Sequence, residues 1–278
     1  MNDVDSVPAP LISRADSFAT SCGVTEDEIL LITGSPTLPF ATGGGDLDLV
    51  LITPDPDRYA TLAERRDGER SSEQVANGYA IIYADVEGIE VDAEIWLLDR
   101  VFKARDALGT GIHDVAAVEA NFSRVGGLDV KVGTDLFHAL RWGYLIGRRD
   151  SLAALRGSVP WPTYQAFKRD CALVNVRDAT KGIPTSMRAG RLDEAYLKLC
   201  WAADSLVDAM IFHTGLSITR WKWRLRYLPL LEPWIGDWYR AVRFQPAEAQ
   251  AVMDRHVKTL AETWKSYVGS LPADLAGS

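Results

Sequence analysis

Ile29-Leu30-Leu31-Ile32-Thr33-Gly34-Ser35 is followed, eleven residues after the serine, by Asp46-Leu47-Asp48-Leu49-Val50-Leu51-Ile52. Both runs have strand length and are rich in branched apolar residues, which suit a pleated, half-buried surface. Between them lies the spacer Pro36 to Gly45, with two prolines and three glycines. The first run therefore ends in a glycine turn, and the second opens with carboxylates at i and i+2. Alternate side chains of a strand share a face, so Asp46 and Asp48 are expected to project together from one end of it. Two such acids repel each other unless a cation lies between them. Hard divalent cations with oxygen ligands, above all Mg²⁺ carrying a nucleotide's phosphates, are the usual reason to build the pair.

A later stretch adds more acid. In Ile89-Glu90-Val91-Asp92-Ala93-Glu94-Ile95-Trp96-Leu97 the apolar positions alternate with Glu90, Asp92 and Glu94. This pattern predicts a strand with one apolar and one acidic face. An apolar strand ending in Gly-Ser, a ten-residue spacer, an Asp-x-Asp strand and this acidic strand together resemble the signature of the nucleotidyltransferase superfamily that includes DNA polymerase β. In size, and in having room for a helical second domain, the chain is similar to the antibiotic and small-molecule nucleotidyltransferases.

The resemblance implies a role for each part. Asp46, Asp48 and Asp92 would be the metal ligands, holding Mg²⁺ (or Mn²⁺) against the triphosphate of an NTP co-substrate. Glu94 stands behind Asp92 as a further catalytic carboxylate and candidate general base, and Glu90 shares their face. Gly34 lets the backbone approach a phosphate, and Ser35 can donate a hydrogen bond to it. The implied activity is transfer of a nucleoside monophosphate, AMP for preference, to a hydroxyl of a small-molecule acceptor, with release of pyrophosphate. One departure concerns the spacer, because family members carry a short helix after the Gly-Ser. Pro36 suits a first helical position, but Pro39 and the glycine run leave room for about one turn. Phosphate binding would then rest on loop amides.

Helical patterns are expected at 11–22 and 57–66, and strands at 28–33, 47–53, 75–84 and 89–98, the last two joined as a hairpin. After Asp99 the strand signal stops. Helices are expected at 101–107, 114–124, 134–147, 161–179, 192–213, 219–228 and 246–268. Strands then helices in separate blocks predict an α+β chain. The expectation is a nucleotidyltransferase-type mixed sheet with flanking helices over 1–128, then a helical, acceptor-binding bundle over 129–278. Thr219 to Tyr227 packs four cations and three aromatics. On a helix, Trp221, Leu225 and Leu228 would face inward with Lys222 and Arg226 on a neighbouring stripe. Enzymes of the resembling family place a lysine from the helical domain on the nucleotide's phosphates, and Lys222 is expected in that role, with Lys181 as the alternative. An amphipathic helix with solvated cations explains the same pattern more plainly. Asp204 and Asp208, one turn apart, can hold an amine-bearing acceptor, although a solvated helix face is the simpler account.

Composition narrows the partners. With 38 acidic against 30 basic residues and a net charge of −8, a broad nucleic-acid surface is not expected, while a single nucleotide or a tRNA can still be met by a local patch. Cys22, Cys171 and Cys200 are widely spaced and odd in number, which suits reduced thiols in a cytoplasmic protein. The acidic N-terminal stretch has no apolar signal core and no run is long enough to span a bilayer, so no membrane partner is expected. Nine tryptophans leave room for an apolar contact between copies, with the oligomeric state open. Gly43-Gly44-Gly45 lacks the Gly-Lys-Ser/Thr of a P-loop, and His113, His138, His213 and His256 sit at no metal-binding spacing. Two further readings stand beside transfer to a small molecule: a non-catalytic nucleotide-binding module that regulates or scaffolds a partner, and transfer to a protein or tRNA.

Overall fold

The computed structural model describes residues 7–38, 46–59, 79–86, 89–109, 130–147, 149–244 and 250–270. They form two compact units, one ending at Pro160 and the other beginning at Trp161. The glycine-rich spacer from 39 to 45, His113 and the expected helix at 114–124 lie outside the described residues, as does most of the helix expected at 57–66.

The first unit contains α1 (Ala9–Cys22), β1 (Ile29–Ile32), a 3-10 turn (Ser35–Thr37), β2 (Leu47–Thr53), β3 (Tyr79–Val86), β4 (Ile89–Leu97), α2 (Leu98–Gly109), α3 (Val130–Trp142), β5 (Tyr144–Ile146) and α4 (Arg149–Ser158). The strands form a mixed sheet in the order β3-β4-β2-β1-β5. β2 and β4 are parallel, and the other described pairings are antiparallel. β3 and β4 pair as the expected hairpin, closing at Val86 opposite Ile89.

Core packing fixes the register. Leu30 and Ile32 of β1, Leu47, Leu49 and Leu51 of β2, and Val91, Ala93 and Ile95 of β4 share one buried face with Leu11, Ala15 and Phe18 of α1. Each of the leucine, isoleucine, valine and phenylalanine side chains among them contributes about 1.5–3 kcal/mol by leaving water. Sliding β2 by one residue would turn its three leucines outward and drive Asp48 into the core. The apolar face therefore dictates which way Asp48 points. On the opposite face Val50, Ile52 and Trp96 are also buried, and α2 packs on β2, β4 and α3.

Two features of this unit depart from expectation. The helix predicted over 134–147 stops at Trp142, and residues 144–146 instead pair with β1. Arg156 of α4 secures that stop, donating to the carbonyl oxygens of Leu140 and, at 2.6 Å, Gly143. Its guanidinium satisfies carbonyls that a helix end leaves without partners. Because β5 is a strand of the sheet, the chain stays with the first unit to Pro160, and the boundary expected at 128 falls well short of it. The short helix α4 itself was not anticipated.

The second unit is helical: α5 (Trp161–Arg188), α6 (Leu192–His213), a 3-10 turn (Trp221–Trp223), α7 (Arg224–Tyr227), a second 3-10 turn (Leu228–Leu230), α8 (Pro233–Phe244) and α9 (Gln250–Ser270). α5 and α6 pack against each other, and α8 and α9 both pack on α6. α5 continues beyond the expected end at 179 and carries Pro184 in its interior. α8 was also not anticipated, although Ile235, Trp238, Tyr239 and Val242 form a buried stripe at helical spacing. No helix among the described residues is long and apolar enough to cross a membrane.

Candidate active site

The site lies where β1 ends beside the start of β2. The Thr33 N–H donates to the Asp48 carbonyl at 2.8 Å, carrying the ladder one step past the Ile32–Leu49 pair. Gly34 follows at φ 79° and ψ −157°, a backbone region that essentially only glycine adopts. A Cβ on Gly34 would fall 3.0 Å from Asp48 Cγ and 3.2 Å from its Cβ, and nearer still to Oδ2. The absent side chain is thus the space that the Asp48 carboxylate occupies. The 3-10 turn Ser35–Thr37 then matches the single turn that the spacer allowed. Pro36 has no N–H, and those of Thr37 and Leu38 return to the carbonyls of Gly34 and Ser35 at 3.3 and 3.4 Å. What this turn can offer a phosphate is the amide and hydroxyl of Ser35.

In the parallel β2–β4 pair, Asp48 stands opposite Asp92 and Val50 opposite Glu94. Neighbouring strands lie about 4.8 Å apart, and paired residues share a face. Both aspartates are half-buried. Two like charges at that spacing repel by roughly 3 kcal/mol at an effective dielectric constant near 20. Asp46 is exposed, one residue before β2 begins. Glu94 sits two residues further along the Asp92 face, where the Trp96 indole N–H donates to Glu94 Oε2 at 3.4 Å. That contact was missed from sequence, where its signal was the i, i+2 spacing on one strand.

Gly34, Asp48 and Asp92 therefore come together, with Ser35 adjoining and Glu94 two residues further along β4, while Asp46, exposed ahead of β2, does not complete the expected set of three. Among the described residues, no group of three or more His, Cys, Asp or Glu side chains is arranged to hold a metal ion. The donor set that suits a hard cation is the Asp48–Asp92 pair, with Asp46 nearest along the chain.

Lys222 belongs to the second unit, exposed on the 3-10 turn. The inward face there is Trp223, Tyr227 and Leu228, while Trp221 is 73% and Leu225 41% exposed. Leu228 is buried as expected, but Trp223 and Tyr227 take the inward places expected for Trp221 and Leu225. The cause is Arg224, whose Nε and Nη2 donate to the two Asp208 oxygens at 2.7 Å each, with Nη1 3.2 Å from Asp204. Asp204 also accepts from the Tyr239 hydroxyl at 2.8 Å and lies 3.4 Å from Arg243 Nε. Burial and the Asp204 carboxylate push the Tyr239 hydroxyl well up, so it stays a donor. Asp204 and Asp208 are thus neither a solvated face nor an open amine site, because internal cations occupy them. Lys181 is exposed, 3.2 Å from Asp178.

No protein-family model and no curated protein matches the sequence. Among solved structures the chain is similar to a nucleotidyltransferase-like protein from Exiguobacterium sibiricum 255-15, at 12% identity over 93% of this chain and 76% of that one, with a TM-score of 0.49. A likeness at that level carries nothing about chemistry, which rests on this chain's own residues.

Proposed function

We propose that the chain is a nucleotidyltransferase that moves a nucleoside monophosphate, AMP for preference, from an NTP to a hydroxyl of a small-molecule acceptor. The observation that carries this reading is the parallel register of Asp48 with Asp92, together with the glycine turn that gives up its side-chain space to Asp48. Asp48 and Asp92 would hold Mg²⁺ or Mn²⁺, which when bound supplies charge neutralisation to the triphosphate. Ser35 would donate to a phosphate oxygen. Glu94, oriented by the Trp96 indole, would accept the proton of the acceptor hydroxyl. The acceptor oxygen forms a bond to the α-phosphorus as the bond from that phosphorus to the bridging oxygen breaks, and pyrophosphate leaves. The surplus of acidic residues favours a small acceptor over a nucleic acid.

The test is incubation with α-labelled NTPs, Mg²⁺ and a panel of hydroxyl acceptors. The expected result is Mg²⁺-dependent pyrophosphate release with label on the acceptor, lost in Asp48→Asn. No turnover and no nucleotide affinity, with Asp48→Asn indistinguishable from wild type, removes the proposal. Tight NTP binding without metal dependence or pyrophosphate would replace it with the regulatory module. Label on a co-purifying protein or tRNA would replace the acceptor class.

A further inference from the structure

The helical unit contains a cavity of about 620 Å³ between the end of α6, the start of α8 and α9. That volume lies within the range of roughly 300–1,000 Å³ typical of small-molecule sites. Its wall includes Met210, Leu230, Trp234 and Ile235, with Ser266 from α9 and His213 from α6. Among the described residues of this lining Glu232 is the one carboxylate, and no lysine or arginine is present. Leu230 and Trp234 are 50% and 47% exposed, so large apolar surface faces the space rather than packing away from it.

From this lining we infer a binding site for an organic ammonium with an apolar body, a ligand class that the transfer reading neither requires nor supplies. A hydrocarbon body would displace water from Leu230 and Trp234, the exposed apolar side chains of the lining. Its cation would find the Glu232 carboxylate and, two residues on, the indole face of Trp234, a combination that attracts positive charge by Coulomb and quadrupole terms together. An anion would be repelled by Glu232, and a neutral apolar ligand would strip water from that carboxylate without replacing it. Glu232 has a second role at the start of α8, where its carbonyl accepts the Ile235 N–H at 2.9 Å. An acid there favours the helix dipole, which explains the carboxylate but not the apolar side chains left facing water around it.

The test is calorimetric titration of the full chain with tryptamine and with tryptophol, its neutral hydroxyl counterpart. Tryptamine is expected to bind at least about tenfold more tightly. Glu232→Gln should erase that difference, and Ser266→Trp should weaken both ligands by filling the cavity. Glu262→Gln, an exposed acid on α9 outside the lining, should change nothing. Equal affinity for the two ligands, no binding at millimolar concentration, or tryptamine binding unchanged in Glu232→Gln would overturn the inference. Asp48→Asn should bind tryptamine as wild type does, so loss of the transfer reading leaves this one standing.

Discussion

β1 and β2 run side by side with carboxylates near both ends of the pair, and the two ends treat that charge in opposite ways. At one end Glu28, 8% exposed, precedes β1. Its Oε1 accepts from the Thr53 hydroxyl at 2.6 Å. Its Oε2 accepts from the Thr25 N–H at 2.7 Å, the Thr25 hydroxyl at 3.1 Å and the Tyr59 hydroxyl at 2.6 Å. Burial alone would raise this carboxyl, but the hydrogen bonds from Thr25, Thr53 and Tyr59 outweigh it and hold Glu28 below the ordinary carboxylate range. At the other end Asp48 faces Asp92, like charge beside like charge, with a glycine giving way to make room. A carboxylate closed in by donors serves the fold. Two carboxylates held in register beside a glycine turn bring like charges together at one spot, which is where the proposed cation would sit.

The sharpest way to break this contrast is to neutralise the pair. Asp48→Asn and Asp92→Asn should each lower transfer by about 10²–10³-fold, the scale for losing one preorganised electrostatic group. Urea unfolding should show that the loss of transfer is not matched by loss of fold; destabilisation large enough to unfold either variant would mean that the pair is structural.

Next in size is Gly34→Ala. The new Cβ collides with the Asp48 carboxylate in a backbone region closed to alanine, so a loss of about 1–3 kcal/mol is expected. Nucleotide affinity should fall with it, although glycine brings no functional group. Unchanged affinity would separate the turn from the site.

At the other end Glu28→Gln should destabilise by about 1.5–3 kcal/mol, with NTP binding untouched. The sign with pH follows from the lowered pKa. The Glu28 contribution is complete above the unfolded carboxyl value, near 4.3, and is lost as pH falls through the lower folded value. The variant should therefore show a flatter acid limb in a plot of stability against pH. A curve parallel to wild type would show that the Glu28 carboxylate does not set that limb. Ser35→Ala is the smallest change, within about tenfold on nucleotide affinity, the scale of one hydrogen bond.

Much of the sheet was legible because its chemistry is local. A continuous apolar run in 47–53 and period-two alternation in 89–97 set both strands, and core-facing Leu47, Leu49, Val91 and Ala93 leave Asp48 and Asp92 on the face away from α1. Glycine at position 34 signalled a turn, but its contact with Asp48 depends on a pairing across the spacer. β5 was hidden because three residues carry no period of their own, and only β1 makes them a strand. Trp221 and Leu225 were misplaced, although Leu228 was not, because Arg224 is fixed by Asp204 and Asp208 on another helix. α4 and α8 are short, and Pro233 and Gly236 in the opening turn of α8 read as loop chemistry. Glu232 and Trp234 line a cavity assembled from three separate helical segments, a grouping with no sequence spacing to reveal it.

The most direct measurement is a crystal of the chain with a non-hydrolysable NTP and Mn²⁺, with anomalous scattering used to locate the ion. The prediction is a peak ligated by both Asp48 and Asp92, with the triphosphate beside Ser35. A nucleotide bound elsewhere, or ions found only away from these two carboxylates, would contradict it.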